Sequence, residues 1–512
     1  MMNTVPDIRK LLQHSPVAMK SPVVSLDDAA LAARVRMVAG MKRFFECYCA
    51  DPAFRARVAT DATAPAAEGI SIDPADVSEF LRRNQPGQAF SELTGNLRLY
   101  QDFRMDTQGG LNMIDLASSS NNVPFKAWRE RQLARLRFDF SGLGDLVVRP
   151  AAAFELSKGC SVGCWFCAIS AERLTGIFAY ADTGGALWRS VVKGLSEIIG
   201  TAAGSSFCYW ATDPFDNPDY ETFASDLHAL TGVFPPTTTA LPLKNLARTR
   251  TFIELSQSKG CRLNRFSLLT LPMIQRVHRE LSPEELLFVE LVLQNPEALV
   301  FTDFPRVEPA IRVRAGRALV DEAVAARRNV QTAPGTIACI VGFLVNMVER
   351  TVQLVSPCIA GEDWPMGYRV HDQGRFSDGA TFERELERMI GRNMALAVDF
   401  NEIPRFLSGI EYTQLADGFR LATPAYCLEF RSPMSPPQGF PYQDFGALIR
   451  AETMPAVNIS AELELRGVSS RDVKRAFELL YRYGVLTETA FHGPRATVPL
   501  AAGQLIVVPF KN

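Results

Sequence analysis

Three cysteines in the run Lys158-Gly159-Cys160-Ser161-Val162-Gly163-Cys164-Trp165-Phe166-Cys167 constrain this chain more than any other feature. The spacing is C-x3-C-x2-C. One short loop can then present three thiolates to three corners of an iron–sulfur cubane, whose ordinary site takes four cysteines. A cubane held this way keeps one iron open, and an open coordination position is where a metal does chemistry. Phe166 adds an aromatic face beside the last cysteine. A structural zinc site would need a fourth ligand at short range, yet the next cysteine is Cys208 and the next histidine His228. A disulfide is disfavoured by the odd count and the lack of any export signal. A buried set of inert thiols is the plain alternative, and the glycine-rich loop argues against it.

The surroundings suit a strand, a cysteine loop and a helix in that order. Residues 151–156, AAAFEL, form a short apolar segment that ends where the loop begins. Gly184-Gly185 precedes a helical stretch over 186–199 with Leu187, Val191, Leu195 and Ile198 on one face. From 151 to about 304, strand-like and helix-like segments alternate, which predicts a parallel α/β unit. Further strands are expected at 206–210, 237–241, 262–269 and 299–302, with helices at 218–230, 246–257 and 283–293. In such units the active site lies at the carboxyl ends of the strands. Thr212 and Asp213 follow the second strand, and Ser267 lies late in the fourth. Residues 335–355, rich in Ile and Val, read as one or two more strands and end at Ser356-Pro357-Cys358.

The ends of the chain read differently. Ser25 is placed to cap a helix carrying Leu31, Val35, Val38 and Phe45, and Asp51-Pro52 and Asp73-Pro74 each spell an N-cap followed by proline at the first helical position. A helix over 125–136 is rich in cations, which predicts a solvated face. Near 435–439 the composition turns to a linker. Beyond it, 458–465, a turn at Gly467, a Ser469 cap and a helix stopped by Gly484 spell a helix-turn-helix, and 485–510 could supply wing strands. Its second helix carries Arg471, Lys474, Arg475 and Arg482 against Asp472 and Glu478, a weak pattern for reading a DNA groove. A packing or peptide-docking module is the better expectation.

A chain of 512 residues exceeds one compact core, so two or three domains are expected. Lys+Arg 54 against Asp+Glu 56 gives no bias toward nucleic acid or an acidic membrane. The start, MMNTVPDIRK, has no apolar core and reads as no signal peptide. The apolar stretch 337–348 holds Asn346 and is too short to span a bilayer. Ten cysteines without a secretion signal predict a reducing, cytoplasmic setting. No phosphate-binding GxxxxGK loop is present, and five histidines leave little room for histidine-based catalysis.

The cysteine run resembles the signature of the radical SAM enzymes. Over about 125–388 the chain resembles, more narrowly, the radical SAM peptide epimerases of proteusin-type maturation, which convert L-residues to D-residues in ribosomally made precursor peptides. The likeness rests on Ala153-Phe154-Glu155-Leu156-Ser157-Lys158-Gly159-Cys160, on Tyr209-Trp210-Ala211-Thr212-Asp213-Pro214 with Asp216-Asn217-Pro218, and on Ser356-Pro357-Cys358 with Trp364-Pro365-Met366-Gly367-Tyr368. The resemblance implies an α/β fold with a partial (β/α)6 TIM-like barrel, placed over 146–435; the residue patterns above put a helical region at 1–145 before it and a winged-helix-like module at 440–512 after it. It implies one [4Fe-4S] cluster on Cys160, Cys164 and Cys167, S-adenosylmethionine on its open iron, and an external electron donor of flavodoxin or ferredoxin type.

Cofactor contacts are expected from Phe166, Thr212, Asp213, Arg265 and Ser267. The family's usual Gly-Gly-Glu is here Ala211-Thr212-Asp213, with Asp213 as an acceptor for the methionine ammonium. Epimerisation needs a thiol to return hydrogen to the flattened Cα. Cys47, Cys49, Cys208, Cys261 and Cys339 are expected in the core, where free cysteine usually lies. Cys427 is ambiguous, and Cys358, after a strand and before a loop, is the expected donor. A second cluster would need a dense downstream cysteine set, which is lacking, so one cluster is expected. The alternatives are another radical SAM peptide modification, crosslinking or methylation, or an iron–sulfur sensor whose helix-turn-helix binds DNA.

Overall fold

A computed structural model describes residues 28–85, 93–108, 116–140, 149–164, 166–314, 326, 332–432 and 439–488. The Ser25 cap and the expected wing beyond 488 lie outside them. The first helices run Asp28–Ala50, Pro52–Thr60, Pro74–Arg83 and Gly95–Gln108. Asp51 accepts from the N–H groups of Ala53 and Phe54, and Asp73 from that of Ala75, so both Asp-Pro pairs start helices as their chemistry predicts. These helices close over Phe44, Phe45, Phe54 and Phe80, and the same core takes in Leu287, Phe288 and Phe304 from the middle of the chain.

The middle of the chain is a mixed α/β unit. Ala152–Glu155 pairs parallel with Gly342–Asn346, which pairs antiparallel with Thr351–Pro357, and that in turn with Tyr368–Arg375. All four residues of Ala151–Phe154 are buried, as a strand covered on both faces requires. Helices Gly184–Ile199 and Gly379–Asn393 cover this sheet through Trp188, Val191, Leu195, Phe382, Leu386 and Met389. A second sheet of three parallel strands is Thr238–Thr239, Asn264–Leu268 and Val289–Leu293. Ala153 bridges parallel to Phe207, and the Tyr209 hydroxyl donates to Thr238 Oγ1 at 2.8 Å. Among the described residues the two sheets therefore meet at this point without one continuous ladder closing a barrel.

Three expected elements differ. Residues 206–210, read as a strand, are irregular apart from the single bridge of Phe207 to Ala153. Residues 283–293, read as a helix, form turns and then the strand Val289–Leu293. Val289 and Leu291 are buried while Glu290 between them pairs with Arg265 on the next strand, a period of two that outweighs helical propensity. Leu299–Asp303, read as a barrel strand, pairs antiparallel with Arg306–Pro309 in a hairpin, because Phe304-Pro305 turns the chain straight back.

The helix Val123–Asp139 departs further from expectation. Arg129, Arg131, Arg135 and Gln132 are all buried, so these three arginines face inward while Lys126 and Arg137 are exposed. Arg129 donates to the carbonyls of Arg149 at 2.7 Å, Pro150 at 3.3 Å and Val341. Arg135 donates to the carbonyls of Gly484 at 2.9 Å and Leu486 at 2.7 Å. Arg131 lies over the Tyr481 ring at 4.2 Å and pairs with Glu488 at 2.6 Å. Buried guanidinium groups are tolerated because backbone carbonyls satisfy them. The helix thus ties the four-stranded sheet to the end of the chain.

That end has its own core. The meander Glu411–Leu415, Gly418–Ala422 and Cys427–Arg431 packs against helices Tyr442–Ala451, Ala456–Leu465 and Ser470–Arg482 around Phe419, Phe445, Ile459 and Phe477. The core therefore draws on residues upstream of 440. Gly467 and Gly484, with φ of 86° and 68°, make the turns that separate and end the two last helices. No helix among the described residues is long and apolar enough to cross a membrane.

Candidate active site

The cysteine loop is built by glycine and held by two side chains. Gly159 has a φ of 80°, and a Cβ there would stand 2.2 Å from the Arg173 carbonyl oxygen, so the loop passes only as glycine. The Cys160 N–H donates to the Glu172 carbonyl at 2.9 Å and the Cys167 N–H to the Cys164 carbonyl at 3.1 Å. Asp216 accepts from the Ser161 N–H at 2.8 Å and its hydroxyl at 2.5 Å. Asn217 donates to the Leu156 and Phe178 carbonyls at 2.8 and 2.9 Å. Asp216-Asn217, quoted above only for a likeness, fastens the loop at its first cysteine and at the strand before it.

Cys160, Cys164, Cys167 and Phe166 line one cavity of about 430 Å3, together with Thr212, Asp213 and Ser267. Several wall segments follow parallel strands or sit late in them, as active-site residues of α/β units do: the cysteine loop after Ala152–Glu155, Ala240 after Thr238–Thr239, Ser267 within Asn264–Leu268, Gln294 after Val289–Leu293. Burial raises the Cys160 thiol, and burial with the neighbouring Cys167 and Cys160 pushes Cys164 up to about 11. A bound cation would reverse that, since a coordinating thiol is deprotonated. Cys167 Sγ accepts from the Ala171 N–H at 3.4 Å. Among the described residues, no three His, Cys, Asp or Glu side chains gather closely enough for a single metal ion.

The other expected contacts divide. Asp213 is 5% exposed and accepts from Thr239 Oγ1 at 2.7 Å, the Ala240 N–H at 2.6 Å and the Phe215 N–H at 2.9 Å. Burial pushes its carboxyl up to about 6, against the pull of those three donors. A carboxylate has about four acceptor sites, so the fold engages most of what Asp213 offers a ligand. Thr212 and Ser267 line the cavity; Ala211, beside Thr212, holds a φ of 50°, a conformation that suits glycine better than alanine. Arg265 is not on the wall. It pairs with Glu290 across the strands at 2.8 Å.

Of the three thiols after the second sheet, Cys427 is exposed and the other two are placed unlike the sequence expectation. Cys358 is 2% exposed, is not on the cavity wall, and is pushed up to about 12 by burial. Cys339, expected in the core, lines the cavity. Arg312, which no sequence pattern singled out, also lines it and sets its guanidinium 5.5 Å from the centre of the Phe166 ring. Its one available signal was an arginine in a short strand, Arg312–Arg314, far in sequence from the cysteines.

No family model matches the chain. Among solved structures, the crystal structure of BtrN in complex with AdoMet and 2-DOIA aligns with a TM-score of 0.25 at 12% identity, covering 40% of this chain and 72% of that one. The uncharacterized protein y4wI of Sinorhizobium fredii (strain NBRC 101917 / NGR234) is 35% identical over 478 residues, 88% of each chain. Likeness of that depth along nearly the whole length places this chain in one family with y4wI of Sinorhizobium fredii.

Proposed function

We propose that the protein is a radical SAM enzyme that inverts L-residues of a ribosomally made precursor peptide. One observation carries the reading: the three cysteines of the C-x3-C-x2-C loop and Phe166 open on a single cavity with Thr212, Asp213 and Ser267. Bound there, a [4Fe-4S] cluster with S-adenosylmethionine supplies a carbon radical able to take hydrogen from a peptide Cα. The chain's part is to hold that chemistry dry and in place. Ala168, Ile169, Phe207, Trp210 and Leu269 give the cavity an apolar wall, which keeps water from a reactive intermediate.

A flattened Cα accepts hydrogen on its other face. In this reading a cysteine S–H bond breaks as the Cα–H bond forms, and the thiyl left behind takes one electron from a flavodoxin- or ferredoxin-type donor and one proton from solvent. The sequence likeness favours Cys358 for this role; the cavity wall favours Cys339. Burial raises the Cys339 thiol, which keeps it in the S–H form a hydrogen-atom donor needs.

The peptide is proposed to be held in part by the C-terminal module. The Ser432 N–H to Asp417 and Thr423 N–H to Tyr426 bonds phase its ladder, so the backbones of Cys427, Glu429 and Arg431 point away from the partner strand. Those groups have no backbone partner among the described residues, and such an edge can take an extended peptide as a further strand.

The test uses anaerobically reconstituted protein and short peptides encoded by the genes around its own, taken as candidate precursors. Wild type should bind about four irons per chain, release 5′-deoxyadenosine, and place solvent deuterium at each inverted Cα in D2O. Replacing Cys160, Cys164 and Cys167 with Ala should abolish all three. Of Cys339→Ala and Cys358→Ala, the one that removes the donor should still form 5′-deoxyadenosine while delivering no deuterium. A crosslinked product without deuterium would replace epimerisation with another peptide modification, and iron near eight per chain would end the single-cluster reading (about two cubanes).

A further inference from the structure

We propose that Arg312 anchors a carboxylate of the substrate, reached from an aromatic cavity that adjoins the cysteine-lined one. This second cavity, of about 410 Å3, lies between the N-terminal helices and the segment 287–312. Phe45, Tyr100, Phe103, Phe288 and Phe301 line it. The two cavities share one wall, made by Gln294, Ile311 and Arg312. None of the three loop cysteines lines the aromatic side, so a molecule bound there is distinct from one seated against the cluster.

Among the described residues, the shared wall carries a charge with no carboxylate partner. Arg312 is 8% exposed. Its Nη2 donates to the Asn295 carbonyl at 3.1 Å, its face lies toward Phe166, and its Nε is buried with no partner among the described residues. No described carboxylate pairs with it. A buried guanidinium left with one neutral acceptor is costly, and an anion that fits relieves that cost. The acids of the aromatic cavity are already engaged. Glu46 is held by Lys42 and His278, and Glu290 by Arg265. Lys42, Arg104, Arg262 and Arg312 line the same cavity as those two acids.

Aromatic walls around one buried arginine select an acid beside an apolar or aromatic group. In a peptide that is an acidic side chain, or a terminal carboxylate, next to a bulky residue. The inference rests on the proposal above that the cysteine-lined cavity is where substrate reacts.

The probes are 3-phenylpropionate and its amide, titrated calorimetrically into the full chain with its cluster reconstituted. Wild type should bind the carboxylate at least about tenfold more tightly than the amide. Arg312→Met should erase that preference, and Arg312→Lys should keep part of it. Equal affinities in wild type, or a preference that survives in Arg312→Met, would overturn the proposal. So would a drop of about tenfold in S-adenosylmethionine affinity in Arg312→Met with the probe preference intact, because the carboxylate would then be the cofactor's. If Arg312→Met does not fold, the wild-type comparison and Arg312→Lys decide. No reductant is needed, so a failure of radical chemistry would sink the proposed reaction and leave this result standing.

Discussion

Glu155 ends the buried strand that leads to the cysteine loop, and burial pushes its carboxyl up to about 8. The Asn346 amide, donating at 2.7 Å, opposes that shift, while Glu349 and Glu172 add to it. A carboxyl whose folded value exceeds its unfolded value binds its proton more tightly when folded. Stability is therefore full below the unfolded value near 4 and falls as pH rises toward about 8. Glu155→Gln keeps an acceptor for Asn346 and cannot ionise. Its melting temperature should exceed that of wild type by more at about pH 8.5 than at about pH 5; equal gaps would mean that Glu155 does not ionise on this scale. At this scale the sequence was most legible where chemistry is local. The three cysteines and Phe166 announced themselves by spacing. Arg312 and Cys339 did not, because only the folded chain brings residues 312 and 339 to the wall that residues 160–167 open on.

Elements were legible where their signals are short-range and misread where burial decides. Both Asp-Pro caps start helices as expected. The strand Val289–Leu293 was hidden because a short, mostly apolar segment with one charge, Glu290, fits either period until a neighbour fixes it, and here the neighbour is Asn264–Leu268. The helix Val123–Asp139 was misread for a different reason. Its cations look solvated on a count of charges, but each buried guanidinium meets carbonyls contributed by distant strands and turns. Arg129 satisfies backbone oxygens at the entry to two paired strands, Ala152–Glu155 and Gly342–Asn346. Arg129→Met should therefore cost about 3 kcal/mol, the order expected when buried carbonyls lose a charged donor. Lys126→Ala, on the exposed face of the same helix, should stay within about 0.5 kcal/mol. Denaturant melts of the two variants check this, and similar midpoints would return the helix to a solvated role.

At the scale of the molecule, the chain sets the cysteine-lined cavity in its middle and a separately cored module at its end, with the helix Val123–Asp139 bonded to both. The module exposes Arg471, Lys474, Arg475 and Arg482 on its last helix beside Asp472 and Glu478, so phosphate-driven, salt-sensitive binding is not expected of it. Its strand Cys427–Arg431 offers a different surface. The Glu429 N–H points outward by the phase of the ladder, and the side chain is exposed, paired only with Arg420 and Arg431 at the surface. Proline is tolerated at such a position, since it removes no ladder bond on an edge. It would remove the donor that an added strand needs and crowd its approach. Glu429→Pro should therefore leave the module's melting temperature nearly unchanged while weakening binding of a fluorescent precursor peptide at least about tenfold by anisotropy. It should also slow epimerisation of the full peptide while leaving 5′-deoxyadenosine formation without peptide intact. Unchanged peptide affinity would move the docking site off this edge. Nanomolar, sequence-selective retention of duplex DNA would make the last helix a groove reader and the edge strand incidental.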